Sequence, residues 1–228
     1  MDPLGIITPL KSEGRFLQAT KLPKQISHIV CGMGSQAAER AANQLIAGGC
    51  RLLISYGYAG AINQKYSPGD LVIGCSVSNG SQTLKINTSL AHKFLRCLQS
   101  KTTIKTHVAN IYSSTKPLLN WTEKREVCID TNFDAVDMES FAIGTAALQN
   151  GISFLIVRSI LDNPESKIPS GSLRIVNEFG EVSLFYGLLE IAKSPREISN
   201  YISLATSKKK ADSTLRSINC FVSLLGIS

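Results

Sequence analysis

The chain has 228 residues, 43% hydrophobic and 7% aromatic, with 24 Lys and Arg against 17 Asp and Glu for a net charge of +7. That length suits one α/β domain with a full core, and the low aromatic share argues against an all-β sandwich. No run of about 18 uninterrupted apolar residues offers a spanning helix. The basic excess invites a polyanion, either nucleic acid or an acidic membrane face. No nucleic-acid-binding motif accompanies it, and the charge is spread along the chain apart from Lys208, Lys209 and Lys210, so a solvated basic face is the simpler account. The opening MDPLGIITPLKSEGR has neither a basic nor a long apolar region, so a secretory leader is not expected. Six cysteines without CxxC or His-paired spacing read as small buried hydrophobes in a reducing cytoplasm, with no metal site expected.

In chain order, Leu4–Thr8 is a first strand, and the following PLKSEG places Glu13 just past its end. Residues 26–31 form another strand, running into Gly32-Met33-Gly34-Ser35 and an Ala-rich helix that stops at Gly48-Gly49. Glycines before a helix let its free N–H groups approach an anion or polar ligand, which makes Gly32, Gly34 and Ser35 a candidate ligand loop. A plain tight turn explains them equally. The stretch is neither a P-loop nor a dinucleotide fingerprint, because no GK[ST] follows and a third glycine is missing. Residues 51–56 are the next strand and lead into Gly57-Tyr58-Ala59-Gly60-Ala61, where small residues let backbone amides come close to a ligand. Pro68-Gly69-Asp70 is a turn before a strand at 71–76. A helix near 89–98, a strand near 104–112 and a helix near 117–127 follow, without repeat or linker, so residues 1–228 read as one domain.

Residues 135–162, AVDMESFAIGTAALQNGISFLIVRSILD, read as an extended segment at 135–139, a helix at 140–150 stopped by Gly151, and a buried strand at 152–161. A strand–helix–strand unit this short predicts parallel neighbours, with ligands beyond the carboxyl ends of the strands. Glu139 and Asp162 stand at those two ends and are expected to face one crevice. The plainer alternatives are that Glu139 caps its helix and Asp162 opens the turn at Asn163-Pro164. Residues 163–172 read as a lid or an ordinary surface loop. In the tail, 184–192 is helical, and Pro195 starts another helix through about Ala205 with Ile198, Tyr201, Ile202 and Ala205 near helical spacing. Beyond the lysine run come Leu215, Ile218, Phe221, Val222, Leu224 and Leu225. A basic patch beside an apolar helical face, here residues 207–228, suits a membrane-surface helix or one packed on the domain or on a second subunit.

Five stretches in order, GIITPLKSE (5–13), CGMGSQAAERAA (31–42), SYGYAGAINQKYSPGDLVI (55–73), AVDMES (135–140) and VRSILD (157–162), resemble the purine nucleoside phosphorylase and 5′-methylthioadenosine/S-adenosylhomocysteine nucleosidase superfamily. SYGYAGA, VDMES, DNPESKIP and the tail are most similar to the hopanoid-associated phosphorylase group. The resemblance implies a three-layer α/β/α fold with a twisted mixed sheet, in an oligomer. It also implies cleavage of the N-ribosidic bond of a 5′-substituted adenosine such as adenosylhopane, by a cytoplasmic enzyme at or near the inner membrane face. It needs no cofactor, with inorganic phosphate as an optional co-substrate. A general methylthioadenosine/S-adenosylhomocysteine nucleosidase and a non-catalytic nucleoside-binding or membrane-adaptor protein are the alternatives.

By resemblance, Asp162 is the acid at purine N7, which requires burial or a neighbouring negative charge to hold its proton. Glu139 accepts the ribose hydroxyls, Met138 packs on the sugar, and Glu13 activates an attacking water. Ala59 and Gly60 supply backbone near the nucleophile and ribose. Pro117 and Leu118 cover the purine faces. Arg158 orients an acidic partner or forms a structural ion pair. Tyr58 replaces the Ser or Thr common at its position, and Ser55 stands where hexameric phosphorylases carry a phosphate-binding Arg; both departures weigh against phosphorolysis.

Overall fold

The computed structural model describes residues 3–18, 22–86, 88–128, 132–169, 171 and 195–224. The helix expected at 184–192, and Ser170 and Ser172 of the expected loop, lie outside the described residues. So do Leu225 and the side chains of Phe221, Val222 and Leu224.

Eight strands form one mixed sheet: β1 (Leu4–Thr8), β2 (Ile26–Val30), β3 (Leu52–Ala61), β4 (Leu71–Ser78), β5 (Thr83–Lys85), β6 (Thr106–Ser113), β7 (Ala135–Asp137) and β8 (Ser153–Asp162). Their order is β2-β1-β3-β7-β6-β4-β5, and β8 pairs with both β3 and β4, so five central strands close into a curled ring. The long apolar runs of β1, β3 and β8 are buried almost throughout, as strands covered on both faces must be.

Alternation along the strands separates two cores. Ile7, Leu53 and Ile156 join the small residues Ala38, Ala41, Ala42, Ala146 and Ala147 on one face. These belong to α2 (Ser35–Ala47) and α5 (Ser140–Gln149), whose Ala-rich sides let helices lie close to the sheet. On the other face Leu4, Ile6, Ile54, Leu155 and Val157 meet α1 (Lys11–Gln18), α3 (Thr88–Gln99) and α6 (Ile198–Leu224) through Leu17, Phe94, Leu98, Ala211, Leu215 and Ile218. This is the expected three-layer α/β/α arrangement.

Four local readings are corrected. The segment after β1 is a helix, because Glu13 sits at its third position and its Oε2 accepts the Leu10 N–H at 2.7 Å, half of a capping box. The helix α4 (Trp121–Cys128) begins four residues later than expected, where Asn120 Oδ1 accepts the Glu123 N–H at 3.1 Å as an N-cap. β7 and β8 are not neighbours: β3 lies between them, antiparallel to β7 through Gly60–Val136 and parallel to β8. After a short 3₁₀ turn at Pro195–Glu197, the tail forms one helix of 27 residues.

That helix resolves the alternatives for its described part. Ala211, Leu215 and Ile218 are buried in the body, Tyr56 donates its hydroxyl to the Leu215 carbonyl at 2.7 Å, and Asn219 donates to the Phe16 carbonyl at 2.9 Å. Lys208 turns inward to Asp212 at 3.1 Å and to the Tyr58 hydroxyl at 3.2 Å. The apolar face expected at a membrane is core as far as Ile218, whereas Ile198 and Ile202, expected on an apolar side, are exposed. No described helix is long and apolar enough to cross a membrane.

Candidate active site

Besides Asp137 at the end of β7, three carboxylates from three elements line one cavity of about 180 Å³: Glu13 from α1, Glu139 from the turn into α5, and Asp162 from the end of β8. They are 2%, 5% and 3% exposed, so each needs a stated partner.

Glu13 accepts two backbone N–H groups, Leu10 on Oε2 and Tyr58 on Oε1, both at 2.7 Å. Burial nevertheless pushes its pKa up from 4.5 to about 8, against the pull of Arg158 and these two donors. Gly57 makes room for it: a methyl group there would strike the Glu13 carboxylate and come within 2.7 Å of Arg158 Nη1.

Glu139 occupies the N-cap position of α5 but caps nothing with its side chain. Its Oε1 instead accepts the N–H of Gly34 at 2.9 Å, across 105 residues. The positive φ of Gly32 and Gly34, 87° and 97°, turns the chain so that this N–H faces the carboxylate. Burial raises Glu139 to about 7, opposed by Arg158 and assisted by Asp137.

Asp162 owes its position to an irregularity. β3 and β8 run in step from Leu52–Ser153 to Ala59–Ile160, and then Gly60 pairs with Asp162, skipping Leu161. The extra residue is a β-bulge that turns the carboxylate onto Gly60. Oδ1 lies where a methyl on Gly60 would meet it at 3.0 Å, while Oδ2 receives a hydrogen bond from Lys124 Nζ. Burial raises the Asp162 pKa, and Lys124 opposes that rise.

The remaining cavity walls include Tyr58, Ala59, Gly60, Pro117, Leu118 and Met138, all anticipated from the sequence. Pro9, Leu10, Met33, Lys116, Leu161 and Ile168 complete much of the surface. The described part of the 163–172 loop covers one side, held by the Ile168 N–H on the Leu119 carbonyl at 2.9 Å.

Arg158, Gly32, Gly34 and Ser35 are not among the lining residues. Arg158 is completely buried beneath the floor, where Nη2 contacts Asp137 at 2.9 Å, Glu139 at 3.7 Å and Ser55 Oγ at 2.7 Å. Of its expected roles the ion pair is therefore real, and its Nε and Nη1 are left without hydrogen-bond partners. Ser55 serves this guanidinium, and Gly34 spends its N–H on Glu139.

Two residues were missed. Asp137 lies inside the AVDMES stretch and binds Ser113, Ser140 and Arg158 together. Lys124 sits in a charged helix, WTEKREVC, whose pattern gives no sign of a buried lysine. The bulge that aims Asp162 likewise has no signature in VRSILD.

The fold is similar to that of several solved structures. The chain is similar to the 5′-methylthioadenosine/S-adenosylhomocysteine nucleosidase of Neisseria meningitidis in complex with methylthio-immucillin-A, with TM-score 0.73, 16% identity, and coverage of 100% of this chain and 98% of that one. It is also similar to the futalosine hydrolase of Helicobacter pylori, with TM-score 0.70, 14% identity, and coverage of 95% and 97%. A Colwellia psychrerythraea 34H methylthioadenosine/S-adenosylhomocysteine nucleosidase bound to adenine gives TM-score 0.66, 19% identity, and coverage of 70% and 82%. No curated protein matches the sequence. The family model of the phosphorylase superfamily matches residues 6–183, and the chain belongs to that superfamily.

Proposed function

We propose that the protein hydrolyses the N-ribosidic bond of a 5′-substituted adenosine and releases adenine. The convergence of Glu13, Glu139 and Asp162 on one cavity carries this reading. Breaking the C1′–N9 bond leaves positive charge on the ribose and an electron pair on the purine. Asp162 gives a proton to purine N7 as that pair arrives. Glu139, with two oxygens and a Gly34 donor to fix it, accepts the ribose hydroxyls, and Met138 packs on the sugar. Glu13 takes the proton of the attacking water. Burial lifts both Glu13 and Glu139 above the usual carboxylate range, and Glu13 serves as base in its ionised form, which gains population as the pH rises through about 8.

Water is the favoured nucleophile. Phosphate needs cationic or N–H donors facing the cavity, and the candidates are already engaged with carboxylates: Arg158 with Asp137 and Gly34 with Glu139. Lys116 is the only basic residue among the described lining residues.

The 5′ substituent is the finer part of the proposal. Adenosylhopane follows from the sequence resemblance, and the methylthio group of methylthioadenosine is the compact competitor. The deciding experiment incubates the protein with each nucleoside, with and without phosphate, and measures free adenine and the sugar product. Adenine release that does not depend on phosphate is expected. Release only with phosphate, accompanied by a ribose 1-phosphate, overturns hydrolysis. Preference between the two nucleosides decides the substituent.

A further inference from the structure

Lys124 is the most deeply buried ammonium among the described residues, and nothing in the sequence pattern accounts for it. Its side chain is 1% exposed and that of Asp162 is 5% exposed. It donates to Asp162 Oδ2 and, at 3.1 Å, to the Asn163 carbonyl. It is not among the cavity-lining residues, whereas Asp162 is. The two carboxylate oxygens have different partners: Oδ1 lies against Gly60, a lining residue whose Cβ position Lys124 Nζ also approaches at 3.6 Å, and Oδ2 accepts from the ammonium.

An isolated lysine is not buried for stability, since both charges of such a pair pay for leaving water and an apolar pair of the same shape would often serve as well. A cation fixed on one oxygen of a proton-donating carboxylate has a chemical consequence instead. Burial beside lining residues such as Leu161, Val136 and Gly60 makes the Asp162 carboxyl hold its proton more tightly than an exposed one. An adjacent cation stabilises the anion left after transfer. We propose that Lys124 is a positioning residue for base departure, sharpening Asp162 as an acid and fixing its Oδ1 toward the purine. This inference rests on the assignment of Asp162 in the proposed function.

The proton balance is simple. The C1′–N9 electron pair moves into the purine, the proton on Asp162 moves to N7, and the resulting Asp162 carboxylate remains paired with the Lys124 ammonium, which keeps its three protons. The other charged residues lining the cavity with Asp162 are Glu13, Asp137, Glu139 and Lys116. Glu165 and Lys167 line a second cavity of about 240 Å³ that Asp162 also borders. Among the described residues Lys124 alone forms an ion pair with it.

The test compares wild type, Lys124→Met, Lys124→Gln, Lys124→Arg and Asp162→Asn. The readouts are the pH profile of kcat/KM for adenine release and, independently of turnover, the ¹³C titration of the Asp162 carboxyl, assigned by its absence in Asp162→Asn. Losing the cation in the Met and Gln variants is expected to move one limb of the profile and the carboxyl titration to higher pH by about 1–3 units. The limb set by Glu13 stays, and kcat changes more than KM. The Arg variant keeps both near wild type. An unmoved limb and titration in the Met and Gln variants overturn the role of Lys124. Turnover retained by Asp162→Asn instead overturns Asp162 as the acid, so the two failures are distinguishable.

Discussion

Arg158 and Asp137 form a buried ion pair at 2.9 Å at the cavity floor, which Asp137 lines and Arg158 does not, with side chains 0% and 1% exposed. The pair joins β8 to the end of β7, two strands that do not touch each other in the sheet. Glu139 lies 3.7 Å from the same guanidinium, so one cation serves two carboxylates. Removing it leaves both uncompensated in a water-poor interior. Arg158→Gln is therefore expected to cost about 3–5 kcal/mol of stability, read from the urea midpoint at constant m-value. A loss below about 1 kcal/mol would mean the guanidinium is not structural.

Glu13 makes the opposite contribution. Its folded pKa of about 8 lies above the ordinary 4.5, so between those values the folded state holds a proton that the unfolded chain has lost. Stability is full below about pH 4.5 and falls as the pH rises through 8. Glu13→Gln removes this dependence. The variant is expected to melt higher than wild type at pH 8.5, by about 2–4 °C for each kcal/mol relieved, while adenine release falls about 10²–10⁴-fold. Thermal melts at pH 5.5 and 8.5 check the sign, since the gap between variant and wild type has to widen with pH.

Much of this was legible in the residues, and the exceptions share a cause. Strands such as Leu4–Thr8 and β8 announce themselves by unbroken apolar runs, and the acidic residues at their ends mark the ligand side of the sheet. What could not be read depends on partners distant in sequence. β7 has three residues and pairs through the upper end of β3. The Gly60–Asp162 bulge exists only in the pairing. Lys124 meets its carboxylate 38 residues later. Glu13 looked like a loop residue because the local capping bond to Leu10 makes the helix, not the helix propensity of KSEGRFLQ.

The tail helix gives a third expectation. Leu215 is fully buried against the face of the sheet formed by Leu4, Ile54 and Val157, and its carbonyl holds Tyr56. Leu215→Ala is expected to cost about 2–5 kcal/mol in chemical denaturation. Deleting residues after Thr206 removes Ala211 and Ile218 as well and is expected to abolish cooperative unfolding. Liposome sedimentation of the intact protein is the control: binding that Leu215→Ala strengthens would show this face exchanging between core and membrane.

Gly34 isolates the backbone contribution to the sugar end of the site. Its φ of 97° disfavours any residue with a Cβ, yet a methyl there would meet nothing within 4 Å. Gly34→Ala therefore tests conformation without a steric clash, at an expected cost of about 1–2 kcal/mol. If the backbone relaxes toward negative φ, the N–H leaves Glu139 Oε1, to which it now donates at 2.9 Å. The carboxylate loses a donor that favours its ionised form, and its grip on the ribose hydroxyls weakens. Adenine release is then expected to show a raised KM for the nucleoside and a higher apparent pKa in the Glu139-dependent part of the profile. A 2′-deoxy substrate, lacking one hydroxyl, is expected to lose less from the substitution than its ribose counterpart. Equal losses for the two sugars would separate Gly34 from ribose recognition and return the glycine loop to the role of a turn.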